Sequence, residues 1–127
     1  MASRYFQQFT SSLDRNVVIL DGTATLNGSS APTNLAGKGL SSLVHTSTGV
    51  FTLTLSDRYY ALLTTQMDYT TVTGLSGLTS LSYGVTSNVN NATPTVTFTF
   101  VNGSGVVTDP PSGLGITFVI LLKNTFL

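Results

Sequence analysis

The chain alternates threonine with large apolar residues along several short segments. The clearest example is Val50–Leu55 (VFTLTL), in which single threonines alternate with Phe51, Leu53 and Leu55. Thr93–Val101 follows the same pattern with valine and two phenylalanines. Successive side chains of a strand point to opposite faces, so a period of two predicts a half-buried β-strand. We expect Phe51, Leu53 and Leu55 to share one face.

Turn signals divide the rest of the chain into further short strands. Strands are expected at Val17–Leu20, Thr23–Leu26, Leu40–Thr46, Thr64–Thr73, Leu78–Val85 and Ile116–Leu122. Asp21-Gly22 and Asn27-Gly28 predict turns, residues 29–39 and 102–115 predict loops, and Ser56-Asp57 predicts the start of one short helical turn. About eight short strands separated by turns are typical of an antiparallel β-sandwich, with a jelly roll as one form of it.

The last predicted strand, Ile116–Leu122, breaks the alternation because both of its faces are apolar. Phe118, Ile120 and Leu122 share one face, and the opposite face is also mainly apolar. Loss of alternation is expected where a strand is covered on both faces. We therefore expect this strand either at the centre of the sandwich or half-covered by a partner, with Phe118, Ile120 and Leu122 as candidate partner contacts.

Residues 1–15 differ from the rest and are expected to form an N-terminal arm ahead of one β-sandwich domain at residues 16–127. Their aromatic residues are interleaved with glutamine, serine and threonine at spacings close to a helical stripe. Such a segment either folds back on its own core or docks on a neighbouring subunit. In the second case the candidate partner contacts are Arg4, Tyr5, Phe6 and Phe9.

Charge is scarce along the whole chain. Only 8% of the 127 residues are charged, the net charge is zero, and all five acidic residues are aspartates; ordinary globular domains have about 25% charged residues. We therefore expect no nucleic-acid partner and no anionic lipid surface. No apolar run approaches the roughly 20 residues of a membrane helix, and the N-terminus lacks the apolar core of a signal peptide, so synthesis in a cytoplasm is expected. The low charge favours a surface covered by partner subunits, with hydration by serine, threonine and asparagine as the alternative.

Side chains that support catalysis or metal binding are few. The chain has no cysteine and one histidine, His45, and three of its aspartates (Asp21, Asp57 and Asp109) adjoin turn or cap residues. Acid–base catalysis and metal sites require several such groups to converge. We predict no enzyme activity, no cofactor, no metal and no small-molecule substrate. We expect four tyrosines to pack in the core or in an interface, with a carbohydrate-stacking platform as the alternative: Tyr59, Tyr60, Tyr69 and Tyr83.

Two segments of the chain resemble a signature of small virion proteins from tailed bacteriophages. The first is Gly49–Tyr59 (GVFTLTLSDRY), and the second is Thr108–Gly113 (TDPPSG) followed by Ile116–Asn124. The resemblance extends over the chain from about residue 40 onward, and the N-terminal part matches no such pattern. Lys123 and Thr125 stand where that family often has arginine and serine.

The resemblance implies a β-sandwich capsid decoration (cement) protein, often a homotrimer, that binds the major capsid protein and stabilises the head. It also implies a place on the capsid surface of the virion and an absence of catalytic residues. A tail, baseplate or head-fibre protein of the same kind of virion is one alternative function. A carbohydrate-binding attachment module is another.

Overall fold

The computed structural model describes residues 17–71 and 78–124, which form two four-stranded antiparallel sheets packed against each other. The strands are β1 (Val17–Asn27), β2 (Ser30–Ala36), β3 (Leu40–Ser47), β4 (Val50–Leu55), β5 (Ala61–Thr71), β6 (Ser82–Asn88), β7 (Thr95–Val101) and β8 (Leu114–Lys123), with a 3₁₀ turn at Leu78–Ser80. The first sheet has the order β2-β1-β8-β5, and the second has the order β3-β4-β7-β6. The predicted all-β sandwich is confirmed, while the jelly-roll topology stays a prediction. The predicted N-terminal arm at 1–15 lies outside the described residues.

The core lies between the two sheets and is built from the inward faces that the alternation predicts. Phe51, Leu53 and Leu55 of β4 are all buried, and every second residue of β7 is buried as well. Phe98 of β7 contacts Phe118 of β8 with ring centroids 6.1 Å apart, which joins the two sheets. Each such side chain contributes about 1.5–3 kcal/mol on full burial, so the inward faces dominate the stability of the sandwich.

Strand β1 runs without interruption through Asp21-Gly22, where the sequence predicts a turn. Gly22 lies directly opposite Phe118 of β8 in an unbroken antiparallel ladder. A Cβ atom on Gly22 would lie 2.5 Å from Leu40 Cδ1 and 2.7 Å from Phe118 Cζ. The glycine is therefore needed for close packing inside the strand and does not mark a turn.

Strand β2 occupies part of the segment that the sequence predicts as a loop. It is an edge strand that pairs only with β1, and most of its side chains are exposed. Pro32 is compatible with an edge position, because the missing N–H is not needed by a second neighbour. Register shifts interrupt the β1–β2 pairing, and Asn34 has a positive φ of 58°. Because β2 buries few of its side chains, its sequence does not alternate between apolar and polar residues, and the sequence does not predict the strand.

The prediction of a helical turn after Ser56-Asp57 is wrong, because the chain there crosses from the second sheet to the first along an irregular path with bends at Ser56, Asp57 and Tyr60. The backbone N–H of Tyr59 donates to the Val89 carbonyl at 2.9 Å, and that of Tyr60 donates to the Lys123 carbonyl at 2.8 Å. The Tyr59 side chain is buried in the core. Partners from neighbouring elements therefore replace the intrahelical hydrogen bonds that a helical turn would supply.

Candidate functional site

Strand β8 is central in the first sheet, as one of the two sequence expectations states. It pairs with β1 on one side and with β5 on the other. Phe118, Ile120 and Leu122 point into the chain's own core and are 1%, 0% and 0% exposed. A partner cannot reach these side chains while the sheets stay packed, so their assignment as partner contacts is corrected. The other candidate contacts, Arg4, Tyr5, Phe6 and Phe9, lie outside the described residues.

The opposite face of the first sheet carries an apolar surface that a partner can reach. We call it the outer apolar patch, and its members are Ile19, Leu63, Val119 and Leu121. Ile19 lies directly opposite Leu121 in the β1–β8 ladder, and Leu63 lies in a bulge of β5 beside them. Ile19 is 57% exposed and Leu63 is 49% exposed, whereas the two β8 residues are partly buried between the flanking strands.

Charged side chains border the outer apolar patch on the same three strands. Lys123 follows Leu121 by two positions on β8, Asp21 lies opposite Val119, and Asp68 lies opposite Thr117. Both aspartates are exposed. An apolar centre with a polar rim is the usual anatomy of a protein–protein interface. The sequence shows that β8 is apolar on two faces, but only the strand register places Ile19 beside it.

A second cluster joins the β3–β4 turn to the loop between β7 and β8. Asp109 Oδ1 accepts a hydrogen bond from the Gly49 backbone N–H at 2.7 Å and lies 2.8 Å from His45 Nε2. The His45 ring also meets Phe51 edge-on, with centroids 5.0 Å apart. The backbone N–H of Phe100 donates to the Gly49 carbonyl at 2.8 Å. Both side chains of the pair are partly buried, so the cluster fastens the loop to the sandwich.

The electrostatics of this cluster favour an ionised carboxylate. Burial acts to raise the pKa of Asp109, but the hydrogen bonds from the Gly49 N–H and from His45, together with the nearby charge of the His45 ring, outweigh it. The pKa of Asp109 therefore lies below its ordinary value. The sequence alone does not predict this pair, because Asp109 lies 64 positions from His45 along the chain.

The four candidate tyrosines do not form one stacking platform. Tyr59 is buried, and Tyr83 packs edge-on against Phe98 with centroids 6.3 Å apart. Tyr69 is partly buried, and this burial, with a smaller contribution from Tyr83, raises the pKa of its hydroxyl. Tyr60 is 41% exposed and lines a groove at the end of the sandwich. Tyr59 and Tyr83 are therefore packed in the sandwich, and Tyr60 is the most exposed of the four.

Within residues 17–71 and 78–124, no helix is long and apolar enough to cross a membrane. Over the same ranges, no group of three or more histidine, cysteine or acidic side chains comes together in a way that would hold a metal ion. No family model matches the chain, and no match is found among curated proteins or among solved structures.

Proposed function

We propose that the protein is a bacteriophage virion structural protein of the capsid decoration type, which binds the major capsid protein and stabilises the head. The observation that carries this proposal is the outer apolar patch, with Ile19 and Leu63 about half exposed on the face of a sheet. Large exposed aliphatic side chains rimmed by polar residues are typical of protein interaction sites. A decoration protein requires such a surface, and it requires few charges on it.

The Gly49–Asp109 contact supports the resemblance on which the proposal also rests. Gly49 begins the first resembling segment, and Asp109 belongs to the second. Gly49 and Asp109 are 60 positions apart in the chain, yet their hydrogen bond is 2.7 Å long. A turn and a loop that support each other in this way form one structural unit. This contact gives a physical reason for the two resembling segments to occur together in one sequence.

Assembly is part of the same proposal. The chain forms a homotrimer on the capsid surface, and the N-terminal arm at residues 1–15 contacts a neighbouring subunit through Arg4, Tyr5, Phe6 and Phe9. Scarce charge favours this arrangement, because the cores of protein interfaces are depleted in charged residues. Deleting residues 2–13 is expected to weaken capsid binding and to reduce the oligomer size in solution. Unchanged binding and size in this deletion variant would rule out a role for the arm.

Binding to purified heads of the virus that encodes the chain tests the role of the patch. Ile19→Ser removes an exposed aliphatic side chain from the patch, and Val44→Ser removes one of similar exposure, 47%, from the outer face of the second sheet. Completing the burial of Ile19 contributes about 1–2 kcal/mol, so the first variant should bind about tenfold more weakly. The second variant should bind like the wild type. Equal binding by both variants would contradict the assignment of the patch.

Copy number separates the decoration role from the alternative role in a tail. A decoration protein covers the capsid lattice, so its copy number per particle is comparable to that of the major capsid protein. A tail, baseplate or head-fibre protein is present in far fewer copies. Quantitative mass spectrometry of purified particles, with a cryo-EM map of the head, is expected to find this chain over capsomer junctions in high copy number. A low copy number would contradict the decoration role and favour a tail, baseplate or head-fibre protein.

A further inference from the structure

A groove opens at the end of the sandwich where the β4–β5 crossover passes the loop between β6 and β7. Its volume is about 310 Å³, at the lower end of the range of small-molecule sites. Tyr60, which is 41% exposed, lies in its lining, and the polar residues of the lining are Ser87, Asn88, Asn90 and Asn91. The groove therefore brings one tyrosine together with three asparagines and a serine.

The backbone that carries these side chains is held in place by hydrogen bonds. The N–H of Tyr59 donates to the Val89 carbonyl at 2.9 Å, and both side chains are buried beneath the groove, 7% and 3% exposed. The N–H of Tyr60 donates to the Lys123 carbonyl at 2.8 Å. These contacts bring the crossover and the loop together before any ligand arrives. Such preorganisation reduces the entropy that binding would otherwise lose.

The donors and acceptors of the groove indicate the class of ligand. Among the described residues that line it, none is charged. Each asparagine offers both an N–H₂ donor and a carbonyl acceptor, and a serine hydroxyl serves as both. Arg58 Nε donates to Asn90 Oδ1 at 3.1 Å, which uses one of the two lone pairs of this oxygen. An uncharged molecule rich in hydroxyl groups matches this set.

We propose that this groove binds a neutral carbohydrate. One face of a pyranose ring consists of C–H groups and packs on the electron-rich face of the Tyr60 ring, as other apolar or positively polarised groups do. The hydroxyls around the ring exchange hydrogen bonds with Asn88, Asn90 and Asn91. This activity goes beyond capsid decoration and does not depend on it. It also replaces the four-tyrosine platform with one aromatic residue and an amide cluster.

Nuclear magnetic resonance of the full chain tests the proposal without any capsid. The ¹⁵N-labelled protein is titrated with maltotriose, cellotriose, mannotriose and tri-N-acetylchitotriose as neutral probes, and with sialyllactose as an anionic one. At least one neutral probe is expected to shift the backbone and side-chain amide signals of the groove, with a dissociation constant in the millimolar range or tighter. The absence of any signal shift with all four neutral probes, or a shift with sialyllactose alone, would overturn the proposal.

Substitutions identify the site within the same experiment. Tyr60→Ala should weaken binding of the responding sugar about tenfold through loss of the ring contact, whereas Tyr60→Phe retains the ring and should bind like the wild type. Asn91→Ala should also weaken binding, and Val44→Ala, at an exposed position outside the groove lining, should not. Circular dichroism checks the fold of each variant. Wild-type affinity in both Tyr60→Ala and Asn91→Ala would show that the groove is not the site.

Discussion

Replacing Gly49 by alanine is expected to destabilise the fold by about 3 kcal/mol, against about 1 kcal/mol for Gly105→Ala. The two glycines have similar positive φ angles, 71° and 78°, so the backbone strain of an added Cβ is nearly the same at both. Their surroundings differ. At Gly105 nothing lies within 4 Å of the Cβ position, but at Gly49 the Cβ would lie 2.7 Å from Val107 Cγ1 and 2.8 Å from the Thr108 carbonyl oxygen.

The extra cost at Gly49 arises mainly from backbone atoms that cannot rotate away. The Thr108 nitrogen would lie 2.9 Å from the new Cβ, and this same N–H donates to the Phe100 carbonyl at 3.0 Å. Overpacking of this kind costs about 1–3 kcal/mol in addition to the strain. Val107→Ala in the Gly49→Ala background should recover only a small part of the loss, because it removes the side-chain clash and leaves the backbone clash.

Urea denaturation of the wild type and the three variants measures these differences. The chain contains no tryptophan and five tyrosines, so circular dichroism and tyrosine fluorescence are suitable signals. The expected gap between Gly49→Ala and Gly105→Ala is about 2 kcal/mol at an unchanged m-value. Equal losses in the two variants would refute the close packing of the β3–β4 turn against the loop before β8. Full recovery by Val107→Ala would refute the role assigned to the backbone.

Two further predictions concern the carboxylate of Asp109, which contacts His45 and Gly49, and two glycines within strands, Gly22 and Gly84. The pKa of Asp109 in the folded state lies below its ordinary value of 3.8, so its stabilising contribution is complete above about pH 4 and is lost as the pH falls through the lowered pKa. The difference in unfolding free energy between the wild type and Asp109→Asn should therefore shrink below about pH 4, and a difference independent of pH would contradict this. In thermal unfolding, Gly22→Ala should cost about 1–3 kcal/mol because its Cβ would contact Leu40 and Phe118. Gly84→Ala, where nothing lies within 4 Å, should be neutral or stabilising; similar losses at the two positions would disprove the packing argument.

The alternation of side chains in the sequence predicts the strands that build the core. Val50–Leu55 has the same bounds in the structure, and Thr93–Val101 begins only two residues later there, at Thr95. Both strands bury one face against the opposite sheet, so burial imposes a period of two on their sequences. Strand β2 buries almost nothing, and its sequence has no period to detect.

Contacts between distant residues could not be predicted in the same way. The role of Gly22 depends on Leu40 and Phe118, which approach it from other strands. His45 and Asp109 are separated by 64 positions, and only the folded chain brings them to 2.8 Å. Their residue types are ordinary for strands and turns, so no local sequence pattern predicts the pair.

The sequence by itself determined that this protein is a β-sandwich with little charge and which faces of its main strands are buried. These are properties of composition and of a period of two, and both are local. The tertiary structure alone decided which residues a partner or ligand can reach. The register of β1 and β8 placed Ile19 beside Leu121, and the meeting of a crossover with a loop placed Tyr60 beside Asn88. Pairing register and loop proximity are set by the packing of the whole chain, so no single segment encodes them.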